Sequence, residues 1–272
     1  MSEFRRRIMM ALKTQAVNPY PPDYVDDGKM WAYVTVPSDG TYRISDGMGG
    51  NAGSWSALEI DGVSVSGVNR DQYLTAGSHL LKYTLQDPTM IGGSLLRGRD
   101  DIFTMWILPG TVTKLGDNFC YGTSSHGKIL MDKSKITYIG ESALFHSYVD
   151  FGDFDFPALT TLKTFGDYYA APNCKLKSLG IITDIPNECF RGSAFKDNKY
   201  IIPATVTSIG NLAYYNNNYN AIFYVYATIP PTLDGSQVWF RWPGAIYVPA
   251  ESVEAYKAAS GWSTYASVIY SV

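Results

Sequence analysis

Ile107-Leu108-Pro109-Gly110-Thr111-Val112-Thr113-Lys114-Leu115-Gly116 returns, with its spacing kept, as Ile201-Ile202-Pro203-Ala204-Thr205-Val206-Thr207-Ser208-Ile209-Gly210. Each copy ends on a large apolar residue followed by glycine. Using that pair, or an apolar residue followed by Pro, as an anchor gives Ile91-Gly92, Leu115-Gly116, Ile139-Gly140, Phe165-Gly166, Ile185-Pro186 and Ile209-Gly210. The intervals are 24, 24, 26, 20 and 24 residues. Four residues before the anchor stand Val112, Ile136, Leu162, Ile182 and Val206, and only the first unit, with Pro88, breaks the rule. Three and four residues after it come Leu95-Leu96, Phe119-Cys120, Ala143-Leu144, Tyr169-Ala170, Cys189-Phe190 and Ala213-Tyr214. A period of this length marks a repeat array.

One such unit cannot bury its apolar face alone, whereas stacked units share a continuous core. The expected form is therefore a solenoid. At about 4.8 Å per stacked strand, six turns would extend roughly 30 Å. Each anchor Ile, Leu or Phe should contribute about 1.5–3 kcal/mol by burial. The open ends need covers, and the segment before the array can supply one.

The units resemble the BspA-like branch of leucine-rich repeats, most closely in the two stretches quoted. The C-terminal part is similar to that family too, through Ala227-Thr-Ile-Pro230-Pro231-Thr-Leu233 and Ile246-Tyr-Val-Pro249-Ala-Glu-Ser252 onward to Gly261-Trp262. Residues 88–269 carry the resemblance, and residues 129–173 depart from the consensus. Read from the residues themselves, Ser252 would cap a short helix that Gly261 ends, forming a lid.

Upstream the period changes to two. Ala32, Val34 and Val36 alternate with Trp31, Tyr33 and Thr35, and Asp39-Gly40 and Asp61-Gly62 are hairpin signals. Leu81, Tyr83 and Leu85 follow Tyr73-Leu-Thr-Ala-Gly-Ser-His79. A small antiparallel β-sandwich is expected there. Residues 55–85 resemble carbohydrate-binding and jelly-roll modules of bacterial surface proteins. Pro19, Pro21 and Pro22 mark an extended linker. Before it, Phe4, Ile8 and Leu12 recur every four residues around Arg5, Arg6 and Arg7, which suits a short helix that docks on something. Its apolar run stops at Leu12 with no small-residue cleavage site, so a secretory signal is not expected. The organisation read from the sequence is thus a basic arm and linker at 1–26, a sandwich at 27–87, a solenoid at 88–233 and a C-terminal cap at 234–272. The fold class is mainly β.

Composition excludes several functions. The chain has 272 residues with a net charge of −3, so it carries no basic field for nucleic acid. No apolar run is long enough for a membrane span. Cys120, Cys174 and Cys189 are too few for a disulfide scaffold or zinc site, and Cys120 and Cys189 fall on apolar repeat positions. His79, His126 and His146 lie in no ligand spacing. The run Asp46-Gly-Met-Gly-Gly-Asn-Ala-Gly53 lacks the Lys-Ser/Thr ending of a phosphate loop, and neither Arg99-Asp-Asp101 nor Asp153-Phe-Asp155 matches a calcium loop. No catalytic residue, metal ligand or cofactor is expected, and the protein is read as not an enzyme.

Aromatic residues make up 14% of the chain, with 21 tyrosines, which directs attention to recognition. Tyr215, Asn217 and Tyr219 combine aromatic faces with amides, a mixture suited to sugar or protein binding, with the alternative that the run is only a turn. Trp239 and Trp242 form a second candidate patch, or pack under the lid. The Phe4–Met10 stretch is similar to openings of phage-encoded proteins of the same group. The reading is a non-enzymatic virion component, held to other virion or assembly proteins by the arm residues Phe4, Arg5, Arg6, Arg7, Ile8 and Leu12. It would display a surface for host glycan or protein, as a homo-oligomer or a monomer. The alternative is a BspA-like adhesin at the bacterial cell surface.

Overall fold

A computed structural model describes residues 19–45, 55–67, 70–92, 102–123, 127–144, 147, 149–164, 174–193, 195–215, 217, 219–235, 240 and 243–272. Strands dominate, as the mainly β reading expects. The basic arm lies outside the described residues.

The period-two segment builds a six-stranded sheet in the order Lys128–Leu130, Phe103–Ile107, Met30–Val36, Gly77–Leu85, Trp55–Ile60, Val63–Val65. Alternation decides its faces: Ala32, Val34, Val36, Leu81, Tyr83 and Leu85 all point into the core. Asp61-Gly62 makes the expected tight turn, with φ of 51° and 81°, and Ile60 pairs with Val63 across it. Asp39-Gly40 does not make a hairpin. Met30–Val36 pairs with Gly77–Leu85, while Gly40–Arg43 leaves it to pair with Asp71–Leu74 in a separate two-stranded sheet. The Asp39 carboxylate instead accepts the Ala76 amide at 2.7 Å, joining the two ends of that excursion.

This sheet runs without interruption into the repeats. Phe103–Ile107 pairs antiparallel with Met30–Val36 on one side and parallel with Lys128–Leu130 on the other. The first segment therefore closes the end of the array by hydrogen-bonding to it as well as by covering it. Its outer face is covered as well. Trp31 points away from the main core but is buried with Ile107 and Leu130 beneath Tyr20 and Tyr24 of the proline-rich stretch. Tyr24 meets Trp31 edge-on at 5.1 Å, Lys82 lies 3.8 Å over the indole, and Asp27 accepts from both the indole nitrogen and Lys82. The linker is thus a packed strap over residues 19–27.

The described repeat turns contribute two-residue parallel rungs and, in all but one, a second strand of three to six residues. The short rungs pair in register as Ile91, Leu115, Ile139 and Leu162, and again as Ile185, Ile209 and Leu233. This corrects the fourth unit. Leu162 stands at the anchor and Leu159, fully buried, four residues before the residue that follows it. The proposed Phe165-Gly166 anchor lies outside the described residues. With Leu162 in place the intervals become 24, 24, 23, 23, 24 and 24 residues, more even than the sequence reading.

Backbone stacking explains the glycines. A Cβ on Gly140 would meet Asp117 Oδ1 at 2.4 Å, and one on Gly210 would meet the Asn187 amide nitrogen at 2.4 Å. Two residues after the anchor the chain turns left-handed at Asn118, Ser142, Glu188 and Leu212, at φ between 53° and 57°. That conformation costs an L residue about 1–2 kcal/mol, which the stacked neighbours must offset. In the units anchored at Leu115, Ile139, Ile185 and Ile209 the side chains three and four residues after the anchor are buried, Cys120 and Cys189 among them. Burial pushes the Cys120 thiol far up and the Cys174 thiol to about 12.

The far end is closed by the helix Val253–Ala258 and a 3-10 turn over Trp262–Val268. Ser252 does not cap the helix through its side chain. Its hydroxyl donates to the Thr228 carbonyl at 2.8 Å, and Tyr256 and Trp262 donate to Ala227 and Pro231, each at 2.7 Å. The lid is riveted to backbone carbonyls of the preceding turn. Ile269–Ser271 then adds a last parallel strand to Pro243–Val248.

Candidate functional site

The longer strands near the C-terminus are Lys199–Ile202, Ala221–Val225, Pro243–Val248 and Ile269–Ser271, parallel and adjacent. Alternation sends Tyr200, Phe223 and Ile246 inward and the residues between them outward. Register brings Ile201, Tyr224, Tyr247 and Tyr270 into one outward-facing column, since Ile201 pairs with Tyr224, Tyr224 with Tyr247, and Tyr247 with Tyr270. The rings of Tyr224 and Tyr247 stack with centroids 5.3 Å apart and 17° between planes, and Tyr247 and Tyr270 lie 6.0 Å apart at 42°. Tyr270 is 47% exposed and Tyr226, beyond the end of its strand, 45%. On the N-terminal sheet Tyr20 and Tyr24 cover the outward Trp31, whereas Tyr224 and Tyr247 are half-buried and Tyr270 exposed.

A cavity of about 260 Å³ adjoins the column, lined by Leu176, Lys177, Asp197, Lys199, Ile201, Tyr224 and Tyr226. Apolar, aromatic and charged residues line it together. Such a surface can stack against a flat or ring-shaped ligand while its edge supplies hydrogen bonds. Among the described residues no group of three His, Cys, Asp or Glu side chains is placed to hold a metal ion. Of the acidic pair Asp153 and Asp155, Asp153 is bridged to Lys177 at 2.7 Å.

The residues singled out from sequence are not brought together in this way. Asn217 is only 6% exposed and faces the core. With its amide nitrogen turned to the two acceptors before it, it donates to the carbonyls of Phe190 at 2.7 Å and Ser193 at 3.3 Å. It belongs to a buried polar position of the repeat that is also occupied by Thr123, Ser147 and Ser193. A recognition role for its side chain is therefore corrected to a structural one. Tyr215 is half-buried, with the Arg191 guanidinium 5.9 Å from its ring centroid. Tyr219 is 69% exposed, and its carbonyl accepts the Asn198 side chain at 3.0 Å. Trp239 and Trp242 lie outside the described residues, as do His126, His146, the glycine-rich run at 46–53 and the acidic run at 99–101. His79 is fixed structurally, bonded to Asp61 at 2.7 Å and to the Thr75 carbonyl at 2.8 Å. The tyrosine column was missed although the sequence carries its signal: Tyr224, Tyr247 and Tyr270 stand at two equal intervals of 23 residues.

Comparison with known proteins agrees with the stacked rungs. No curated protein matches the chain. The family described as BspA type leucine rich repeat region matches residues 98–223, in 6 copies. Residues 98–223 are therefore a BspA-type leucine-rich repeat region.

Proposed function

We propose that this is a non-enzymatic binding protein whose outward-facing column of Tyr224, Tyr247 and Tyr270 takes a glycan on a host cell surface. The observation that carries the reading is the column itself. Three outward tyrosines in register, on adjacent strands of a rigid sheet, offer a preformed aromatic platform whose ordering cost has been met by folding. Tyrosine keeps its hydroxyl toward solvent while its ring contacts the ligand.

The architecture we read is a β-sandwich at 27–87, a leucine-rich solenoid at 88–233 and a cap at 234–272, with residues 1–26 ending in the strap over Trp31. The solenoid form is supported by the even parallel rungs, and a solenoid displays an extended surface. The arm residues Phe4 to Leu12 would join the protein to others of its assembly. A virion is the assembly favoured by the likeness of the opening stretch to phage-encoded proteins, and the bacterial cell surface is the alternative. Proteomics of purified particles decides between them, since absence of the chain from virions removes the first.

The test of the binding face is a glycan array with the native chain and with Tyr247→Ala/Tyr270→Ala. Loss of retention by the double variant is the expected result. Retention equal to the native chain by a normally folded variant would sink the reading, and capture of a host protein in place of any glycan would change the ligand class.

A further inference from the structure

Ile269–Ser271 is the outermost strand of its sheet and pairs, among the described residues, only with Pro243–Val248. The Val272 amide donates to the Val248 carbonyl at 2.9 Å, so the backbone groups of Tyr270, two residues earlier, face the same neighbour. Those of Ile269 and Ser271 alternate to the other side, off the sheet edge, where no described residue pairs with them. Natural edges are guarded by charges or proline, and Ile269-Tyr-Ser-Val272 has neither. The row of rings ends here as well. Tyr270 is exposed, with Tyr247 as its only ring contact among the described residues.

The surroundings are neutral. No Asp, Glu, Lys or Arg occurs from Ala258 to Val272, a stretch that holds the 3-10 turn of the lid and this strand. Just before it, Glu254 and Lys257 pair with each other at 3.4 Å. Depletion of charge marks the centre of a protein interface. A two-fold contact also sets each residue near its own copy, so a charge at its centre would meet a like charge. A neutral edge suits a second copy of this chain.

Antiparallel pairing of two such edges completes both. With the two-fold axis between the Tyr270 residues, Ile269 of one copy lies opposite Ser271 of the other. Such a pair exchanges both backbone hydrogen bonds, and the axis makes the pair twice. Tyr270 then faces its own copy in the closer, non-hydrogen-bonded position, with about 4.5 Å between Cα atoms. Side chains opposite each other share a face, so the two tyrosine columns join into one. We infer that Ile269–Ser271 is a self-complementary docking edge through which two copies of this chain pair into a closed dimer. A strand this short makes a small contact, so the dimer should be weak and should form with rising concentration. The inference does not rest on the glycan reading, because it is measured with no ligand present.

The experiment is sedimentation velocity of the full chain over a rising concentration series. The native protein should pass from the mass of one chain to that of two and stop there. Tyr270→Lys sets two ammonium groups face to face. Ser271→Pro removes an outward amide and spares the bonds to Pro243–Val248, as proline at a sheet edge can. Each should weaken association at least tenfold while the dilute chain keeps its melting temperature. Should Ser271→Pro lower that temperature, Tyr270→Lys decides alone. Ser271→Ala keeps the amide and Tyr219→Ala alters a different turn, so both should dimerise as the native chain does. A native chain that stays monomeric would overturn the inference, and so would association that survives Tyr270→Lys or a normally folded Ser271→Pro. Masses that keep growing past two copies would mean a head-to-tail contact that does not close, and would overturn the two-fold arrangement. Glycan retention by a strictly monomeric chain would remove the dimer and leave the column reading standing.

Discussion

Tyr200 and Tyr214 pack edge to face, ring centroids 5.6 Å apart at 84°, and of the two hydroxyls only that of Tyr200 has an acceptor, the Ser193 carbonyl at 2.6 Å. The Tyr214 hydroxyl is buried with no partner, and burial holds its phenol well above the ordinary value. Phenylalanine keeps either ring and removes only the oxygen. Tyr214→Phe should therefore be neutral or stabilising by up to about 2 kcal/mol, while Tyr200→Phe should cost about 0.5–1.5 kcal/mol through the hydrogen bond it loses. Urea unfolding of the two variants reads the difference, and a larger loss for Tyr214→Phe than for Tyr200→Phe would contradict the hydrogen-bond assignment.

Asn217 and Tyr219 are two residues apart and should behave in opposite ways. Removing the Asn217 amide breaks two buried hydrogen bonds, to the carbonyls of Phe190 and Ser193. Asn217→Ala should cost about 1–3 kcal/mol. Tyr219→Ala removes an exposed ring and should stay within about 0.5 kcal/mol, as surface changes do. Matching thermal melts for both variants would return Asn217 to the surface.

What the sequence makes legible follows the stacking. Units that must superpose their backbones keep glycine where a Cβ would strike the neighbouring turn, as at Gly140 and Gly210, and so announce the period. The fourth unit lacks that mark, because Lys163 follows Leu162, and the nearby Phe165-Gly166 offers a false one. Asn217 reads as surface since polar turns usually face water, whereas this turn folds its polar residue inward to bond its own carbonyls. Burial of Trp31 depends on Tyr20 and Tyr24 returning over the sheet, a contact that no local pattern encodes. The tyrosine column is hidden for a third reason. Each tyrosine looks like ordinary strand alternation until the register across four strands is known.

His79 gives the N-terminal sheet a pH response. Its imidazole is held by the Thr75 carbonyl and the Asp61 carboxylate, and these bonds raise its pKa above the ordinary 6.5 against the opposing effect of burial. Burial pushes the Asp61 carboxyl upward, but bonds from His79 and the Leu80 amide outweigh it and leave the pKa lowered. A raised histidine stabilises fully below its unfolded pKa, and that contribution disappears as pH rises through the folded value. The carboxylate contribution is present above the unfolded value near 3.8 and is lost as pH falls through the folded one. The melting temperature of the native chain should thus decline from pH 6.5 upward relative to His79→Gln, the two curves converging above the folded pKa. Parallel curves across that window would show that the pair is not formed.

Leu159 decides the register of the fourth repeat. In the structure Ile139 pairs with Leu162, which places Leu159 where Ile136, Ile182 and Val206 stand in other units, all buried. Had Phe165-Gly166 been the anchor, Leu159 would align instead with Pro109 and Pro203, which precede the turns leading into their rungs. Leu159→Ala removes a fully buried side chain, and the backbone that Gly180 approaches so closely is that of Leu159 itself, within 2.4 Å of a Cβ on the glycine. Such tight stacking limits how far the neighbouring turn can collapse into the space. The expected cost is about 2–5 kcal/mol, in the range for large-to-small changes in a packed core. Lys163→Ala, at the exposed position after Leu162, should stay within about 0.5 kcal/mol. Denaturant midpoints of the two variants discriminate the registers directly, and a Leu159→Ala midpoint equal to that of the native chain would restore the 26- and 20-residue intervals in place of 23 and 23.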